Sequence, residues 1–462
     1  MNPDLINFIY LLSAILFILG IKGLTKPKTA VRGNMLSALG MLVAVVVTLT
    51  TINDVDFTYV VAGVIVGGII GGVMALKVQM TSMPQMVALL NGFGGGASLT
   101  IALAEYATRV GMAPTSLYGF FEPVSVSSSV FGDGLVGTIA ILSIGLTVLI
   151  GAVTLTGSLV AFGKLQELIK KSRGLPGGPI GNGLMLAGAL VAVYLLVNNP
   201  GNVAAMATIL SLALLLGLFL VMPIGGADMP VVIALLNSYS GIAAALAGFI
   251  LGNTVLIVAG SLVGTSGLIL TQIMCVAMNR SLANVLFGKM AAGGEEIDAD
   301  EIYAGKVTSA QPDEVAMMLE TAQRVVIVPG FGMAMAQAQH AVRELADALE
   351  KNGTEVEYGI HPVAGRMPGH MNVLLAEAEV PYDKLVEMDR INPTFEDTDV
   401  VIVIGANDVT NPMARDSEGS PIYGMPILNV DKARNVVVIK RSLSPGFAGL
   451  PNPLFAMDHT IM

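Results

Sequence analysis

Nine long apolar runs, almost free of charge, occupy the first 290 residues, and no other feature limits the possible folds as tightly. A helix crossing ~30 Å of hydrocarbon needs roughly 17 to 25 such residues. The windows 5–21, 35–52, 57–76, 83–104, 135–162, 180–197, 203–221, 229–251 and 255–278 qualify. The sixth is the weakest, because Gly181-Asn-Gly183 dilutes its start. The first is read as retained rather than cleaved: Asp4 precedes it, no basic n-region exists, and no convincing small-residue cleavage site follows. Composition agrees, since 54% of residues are hydrophobic and only 13% charged, too apolar for a soluble surface. The same figures exclude disorder, collagen and coiled coil. One cysteine, Cys275, excludes a disulfide scaffold or a thiolate metal cluster, and the net charge of −10 argues against nucleic acid as a partner.

Charge then divides the chain. Residues 1–290 carry 12 Lys+Arg and 8 Asp+Glu, whereas the last 172 carry 12 and 26, a normal soluble density. The boundary falls in the Gly-bearing acidic stretch 291–301, which reads as a hydrated linker. The expected division is a transmembrane domain at 1–290, an acidic linker and lead-in at 291–312, and a soluble domain at 313–462. One set of alternate loops carries Lys22, Lys26, Lys28, Arg32, Lys77, Lys164, Lys170, Lys171, Arg173, Arg280 and Lys289. The opposite set carries Arg109 alone, with Asp54, Asp56, Glu105, Glu122 and Asp133. By the positive-inside rule the N-terminus lies outside and the C-terminal domain in the cytoplasm.

Small residues recur at helical spacing: Gly63, Gly67 and Gly71 in the third span, Gly260 and Gly264 in the ninth. Such stripes let helix backbones approach closely in lipid. The spans also hold Asn91, Asn237, Ser238, Ser240, Ser261, Thr265 and Ser266, with Asp228 at the cytoplasmic mouth of the eighth. Polar groups in lipid are costly, so they either bond between helices or line a pathway. No row of carboxylates crosses the membrane and no Thr-Val-Gly-Tyr-Gly filter is present, which disfavours a cation channel and leaves protons as the expected cargo.

In the soluble half, Arg324-Val-Val-Ile-Val-Pro-Gly-Phe-Gly-Met-Ala-Met-Ala336 reads as a strand, a Gly-x-Gly turn and a helix to about Lys351. A dinucleotide fingerprint needs that context: Gly330 for the turn, Gly332 for close approach of backbone to a pyrophosphate, and the helix start beyond. Met335 stands at the third glycine position, so an ordinary strand–helix turn is the competing reading. Further strands at 355–360, 400–405 and 435–440 predict a parallel α/β, Rossmann-like domain. Loops at 361–370, 406–412 and 441–449 follow them, where open α/β sheets bind ligands. The second strand lacks the acidic residue of an NAD-type ribose clamp, while the last delivers Lys440-Arg441-Ser442. Two cations and a hydroxyl suit a 2′-phosphate, hence NADP; the alternative is a solvated basic pair. His361 and His370 have no carboxylate or thiol cluster beside them, so no metal is expected. Hydride transfer needs no nucleophile–base pair, because the cofactor carries the chemistry.

Several runs together resemble the beta-subunit family of bacterial proton-translocating NAD(P) transhydrogenases. They are Gly225-Gly-Ala-Asp-Met-Pro-Val-Val232, Leu236-Asn-Ser-Tyr-Ser-Gly241, Met278-Asn-Arg-Ser281, Gly330-Phe-Gly-Met-Ala334, Gly359-Ile-His-Pro-Val-Ala-Gly-Arg366, Pro368-Gly-His-Met-Asn-Val-Leu-Leu-Ala-Glu-Ala378, Gly405-Ala-Asn-Asp408 and Lys440-Arg-Ser442. The resemblance implies hydride transfer between NAD(H) on a separate alpha subunit and NADP(H) bound here. Inward proton movement would drive NADPH formation, in an alpha2–beta2 assembly in the bacterial inner membrane, in contact with lipid. It implies a cofactor site of Gly330, Gly332, Met333, Ala334, Met335, Val363, Ala364, Gly365, Arg366, Gly405, Ala406, Asn407, Asp408, Lys440, Arg441, Ser442, Gly446 and Phe447. Arg366 and Asp408 would act as catalytic residues beneath a lid at 440–449. Asn91, Asp228, Asn237 and Ser266 would serve proton passage and coupling.

Three departures accompany the resemblance. Asn91 stands where a member of the family carries His, and Asn cannot titrate near neutrality as His can. Phe447 occupies a position often held by Tyr. The chain stops at Met462, shortly after Asn452-Pro-Leu-Phe455, where the family usually adds a final helix; the sequence is either truncated or naturally short. The competing class is a channel or secondary transporter whose Rossmann-like domain only senses a nucleotide.

Overall fold

The computed structural model describes residues 3–24, 27–51, 57–111, 134–166, 168–169, 178–225, 228–287, 303, 305–367, 369–418, 420, 422–446 and 448–462. The stretch 291–301, the loop residues Lys26, Asp54, Asp56, Glu122, Asp133, Lys170, Lys171, Arg173 and Lys289, and Phe447 lie outside the described residues. The chain separates into two units. One comprises Met1–Gln79, Gln85–Pro223 and Ala234–Ile269; the other comprises Met80–Pro84, Ile224–Ile233 and Leu270–Met462.

Among the described residues, nine helices are long and apolar enough to cross a membrane, and they follow the windows expected from hydropathy. They are α1 (Pro3–Leu24), α2 (Pro27–Thr51), α3 (Phe57–Lys77), α4 (Met83–Val110), α5 (Leu135–Leu165), α6 (Gly178–Asn198), α7 (Val203–Val221), α8 (Met229–Leu251) and α9 (Thr254–Ala277). Local chemistry sets several ends. The Asn202 side chain accepts from Ala205 N to cap α7, Asn253 Oδ1 accepts from Leu256 N at the start of α9, and Pro230 suits the first turn of α8, where no N–H is needed.

Helix α5 shares with α8 the highest enclosure among the described helices, 67% of the apolar window being buried in each. Ile144, Val148 and Ala152 of α5 share one core with Leu99 and Ala102 of α4, Ala192 and Leu196 of α6, and Ile209 and Ala213 of α7. The small-residue stripe of α9 meets α8 as expected: a Cβ on Gly260 would lie 2.7 Å from Gly241 O, and one on Gly267 2.7 Å from Ser238 N. Ser238 Oγ donates across this crossing to Gly264 O at 2.7 Å. The stripe of α3 behaves differently. Among the described residues, nothing beyond its own helix backbone lies within 4 Å of a Cβ at Gly63, Gly67 or Gly71, and no described residue of α3 is buried.

The second unit contains a six-stranded parallel sheet in the order β3-β2-β1-β4-β5-β6. Its strands are β1 (Arg324–Pro329), β2 (Glu355–Ile360), β3 (Leu385–Glu387), β4 (Val400–Ile404), β5 (Asn435–Ile439) and β6 (Thr460–Ile461). Alternation along β1 sends Val325 and Ile327 into one core and Val326 and Val328 into the other, so both faces are covered. The edge strands β3 and β6 have no counterpart in the sequence reading. The helix expected after β1 is also interrupted. A short α10 (Phe331–Met335) precedes α11 (Gln339–Lys351), with Gln337 between them at φ 51°.

Candidate functional site

The carboxyl ends of β1, β2, β4 and β5 open on one cleft of about 350 Å³. Its floor is a crossing of two backbones at the boundary between β1 and β4. Gly330 N donates to Ile404 O at 2.8 Å, Gly332 N to Gly405 O at 2.8 Å, and Gly405 N to Ile439 O at 2.9 Å. A Cβ on Gly332 would stand 2.7 Å from Gly405 Cα. Gly405 itself has φ 64°, the left-handed region that glycine enters without steric cost. The Gly-x-Gly pair thus has a packing reason besides any approach to a ligand: the β1 and β4 loops touch through their α-carbons.

One wall is the loop after β2. His361 Nδ1 accepts from Val363 N at 3.2 Å, so its Nε2 carries the proton donated to Pro426 O at 2.8 Å. Burial holds this imidazole at about pKa 4, against the opposing pull of the Pro426 bond. His370 Nδ1 accepts from Arg366 N at 3.1 Å, and burial with the Arg366 charge beside it brings it to about 4 as well. Both rings are therefore neutral scaffolding for the turn at 361–370. Arg366 lays its guanidinium 4.4 Å above the Phe331 ring, a cation–π contact beside the cleft.

The opposite wall comes from the loop after β5. Lys440 Nζ donates to Ser444 O and lies 5.1 Å over the Phe455 ring. Burial lowers its pKa, while the Asp408 carboxylate opposes the shift. Arg441 is exposed beside it, and Ser442 Oγ donates to Ser444 Oγ at 3.1 Å. Asp408 Oδ2 accepts from Ala448 N at 3.1 Å, which ties the β4 loop to the β5 loop. Gly446 makes that approach possible, because a Cβ there would stand 2.7 Å from Asp408 Oδ2.

Of the residues expected at a cofactor site, Gly330, Gly332, Val363, Ala364, Gly365, Gly405, Ala406, Asn407, Asp408, Lys440, Arg441, Ser442 and Gly446 line this one cleft. Met333 and Ala334 are buried in the core beneath it, and the Met335 side chain is exposed. Phe331, Val409, Ser444 and Pro445 also line it and were not named from the sequence. Phe331 stands between the two named glycines, and Ser444 and Pro445 fall within the expected lid, so the signal was present. Among the described residues no three His, Cys, Asp or Glu side chains gather as a metal site would require.

The residues expected on a proton path are spread more widely. Asn91 is buried in α4, Asn237 is half-buried in α8, and Ser266 is exposed on α9, donating to Val263 O at 3.0 Å. Asp228 belongs to the other unit. It immediately precedes α8, is buried, and pairs with Arg280 at 3.5 Å. Burial raises its pKa and the Arg280 charge opposes that rise.

A family model described as NAD(P) transhydrogenase beta subunit matches residues 6–462. Two curated relatives from Rhodospirillum rubrum, one assigned to a particular strain, carry the description NAD(P) transhydrogenase subunit beta. Each is 45% identical over 464 residues, spanning 100% of this chain and 96% of the relative.

Proposed function

Because this chain belongs to the NAD(P) transhydrogenase beta subunit family, we propose that its cleft binds NADP(H) and exchanges hydride with NAD(H) held by an alpha subunit, coupled to inward proton movement. The chain is a membrane-embedded oxidoreductase subunit, and membership of this family sets aside the alternative of a transporter with a nucleotide sensor. The observation that carries the cofactor reading is the pairing of Lys440 and Arg441 with the Gly330–Gly405 crossing in one cleft. The strand order, with its reversal between β1 and β4, supports a Rossmann-like domain, since such sheets take ligands at the carboxyl ends beside that reversal.

The donor set fits the cofactor: two cations and the Ser442 hydroxyl for a 2′-phosphate, and glycine backbone for the pyrophosphate. NADP(H), when bound, supplies the hydride chemistry. Lys440 and Arg441 hold the phosphorylated end. Asp408 fixes the loop at 440–449 over the cleft through Ala448 N, and Arg366, stacked on Phe331, borders the reacting region. Residues 1–290 form the proton-translocating domain, 291–312 the linker and 313–462 the nucleotide domain. Asn91, Asp228, Asn237 and Ser266 serve the coupling. The assembly is alpha2–beta2 in the lipid of the bacterial inner membrane, with the N-terminus outside and the nucleotide domain in the cytoplasm.

The test is calorimetry on the purified alpha–beta complex. Lys440→Ala with Arg441→Ala weakens NADPH by about 10- to 100-fold, the worth of one or two lost charged hydrogen bonds, and leaves NADH unchanged. Equal loss for both nucleotides removes the 2′-phosphate assignment. Coupling is a free energy shared between sites, so hydride exchange in sealed vesicles must change the internal pH; full exchange without such a change excludes it.

A further inference from the structure

Tyr303 follows the acidic stretch at 291–301 and is bound to the floor of the cleft through one buried side chain. Its Oη accepts from Asn452 N at 2.8 Å. Asn452 is fully buried, and its Nδ2 donates to Asn407 O at 3.1 Å and Asn407 Oδ1 at 3.2 Å, while its own Oδ1 accepts from Leu454 N at 3.0 Å. Every polar atom of that amide is thus committed. A second buried asparagine reinforces it, Asn411 Nδ2 donating to Pro451 O at 3.1 Å. The segment around Asn452 is therefore a strut held against the β4 loop at two points, one of them the residue next to Asp408.

The same tyrosine reaches the other wall through its ring. Tyr303 stacks on Phe455 at 6.3 Å and 22°, and Phe455 is the ring over which Lys440 places its ammonium. The other end of the Asn407 amide faces the lid: its Nδ2 donates at 3.4 Å to Ser444 O, the carbonyl that also accepts from Lys440 Nζ. One side chain outside the cleft thereby touches the supports of both the β4 loop and the β5 loop. Buried amide networks of this kind fix a single arrangement when every partner is satisfied and loosen together when one is lost.

We propose that Tyr303 and Asn452, neither of which lines the cleft, form a clasp that holds Asn407 and Lys440 in place, so that Tyr303 and Asn452 act as positioning residues for NADP(H). The proposal rests on the cleft being the NADP(H) site, and it goes beyond that reading by assigning the affinity of the cleft to contacts behind it. The chain arriving from residues 291–301 is thereby tied to cofactor affinity.

The experiment compares the wild-type alpha–beta complex with Tyr303→Phe, which keeps the ring and loses the hydroxyl, and with Asn452→Asp, which keeps the acceptor for Leu454 N and loses the donor to Asn407. NADPH affinity by calorimetry, KM for NADPH, kcat at saturating NADPH and the melting temperature without nucleotide are measured together. Tyr303→Phe weakens NADPH about fivefold, the worth of one net hydrogen bond, and Asn452→Asp weakens it further. The KM rises in step while kcat stays within about twofold. A residue that only holds the fold together would lower the nucleotide-free melting temperature and leave KM unchanged in the surviving enzyme, and that pattern overturns the clasp. Wild-type affinity in both variants does the same. A wild-type complex that ignores NADPH overturns the cofactor assignment itself, and the clasp with it.

Discussion

Among the places where glycine lets backbone meet backbone in this molecule, two do so under different constraints. At the α8–α9 crossing, Gly241, Gly260 and Gly267 meet the backbones of Gly264, Ala245 and Ser238 at distances that leave no space for a Cβ. All of these residues lie within helices, so glycine is required there for closeness alone. At the β1–β4 crossing, Gly332 and Gly405 exclude a Cβ by proximity, and Gly405 also has φ 64°. Glycine is needed there twice over, for space and for conformation. The helical contact is a packing preference spread over two turns. The loop contact is a single point on which the cleft depends.

The sharpest way to break that distinction is Gly405→Ala. The new methyl would meet Gly332 and Met333 backbone while forcing an L-residue into the left-handed region, so strain and overpacking add to more than about 3 kcal/mol. Loss of NADPH binding with a lower melting temperature is expected. Unaltered NADPH affinity, measured by calorimetry on the complex, would mean that the loop relaxes as freely as a helix surface.

Acid separates the two places next. The helical crossing is built from Gly, Ser and Ala, whereas a wall of the cleft is built on His361 and His370, both held at about pKa 4 below the ordinary 6.5. The unfolded chain therefore binds these protons more tightly than the folded one. Stability is complete above pH 6.5 and falls between 6.5 and about 4, by up to ~1.4 kcal/mol per pH unit for each ring. Hydrogen exchange by mass spectrometry on the whole chain should show the β1, β2 and β4 peptides losing protection across this window, with α8 and α9 unchanged. Equal losses in both sets of peptides would contradict the neutral burial of the two imidazoles.

Gly260→Ala is expected to have a smaller effect than either. Its methyl would stand 2.7 Å from Gly241 O and 2.8 Å from Ala245 Cα, but two helices can slide by tenths of an ångström along their shared groove. A destabilisation of about 1–3 kcal/mol is expected for overpacking of this kind. A thermal unfolding series in one detergent reads it directly.

How far these arrangements could be read in advance depends on their range along the chain. Hydropathy marked all nine helices because burial in lipid is a property of each run by itself. It marked β1, β2, β4 and β5 because two-sided burial makes an apolar run. It missed β3 and β6, of three and two residues, since a period cannot be seen in so few. The break at Gln337 was equally silent, because nothing in Met-Ala-Gln-Ala forbids a helix. The Gly-x-Gly pair and Lys440-Arg441-Ser442 were visible as local patterns, and the structure gathers them in one cleft. Asn452 carried no signal at all: its partner Asn407 lies 45 residues away, and an asparagine in a Pro-flanked loop reads as a turn.

The smallest expected effect comes from the glycines that match the α9 pattern and lack its setting. Gly63, Gly67 and Gly71 repeat every fourth residue, as Gly260 and Gly264 do, yet nothing within the described chain beyond their own helix backbone comes within 4 Å of a Cβ at any of the three. Spacing marks a surface that permits close approach; it does not supply the second helix. Gly67→Ala should therefore leave the melting temperature of the isolated chain unchanged or raise it slightly, since Ala gains up to about 1 kcal/mol over Gly in an open helix interior. Measured on the alpha–beta complex, the same substitution becomes a probe for a neighbour. A melting temperature that rises alone but falls in the complex would mean that a helix of another chain lies against this stripe as α8 lies against α9, and the contrast between α3 and α9 would then be one of which chain supplies the partner.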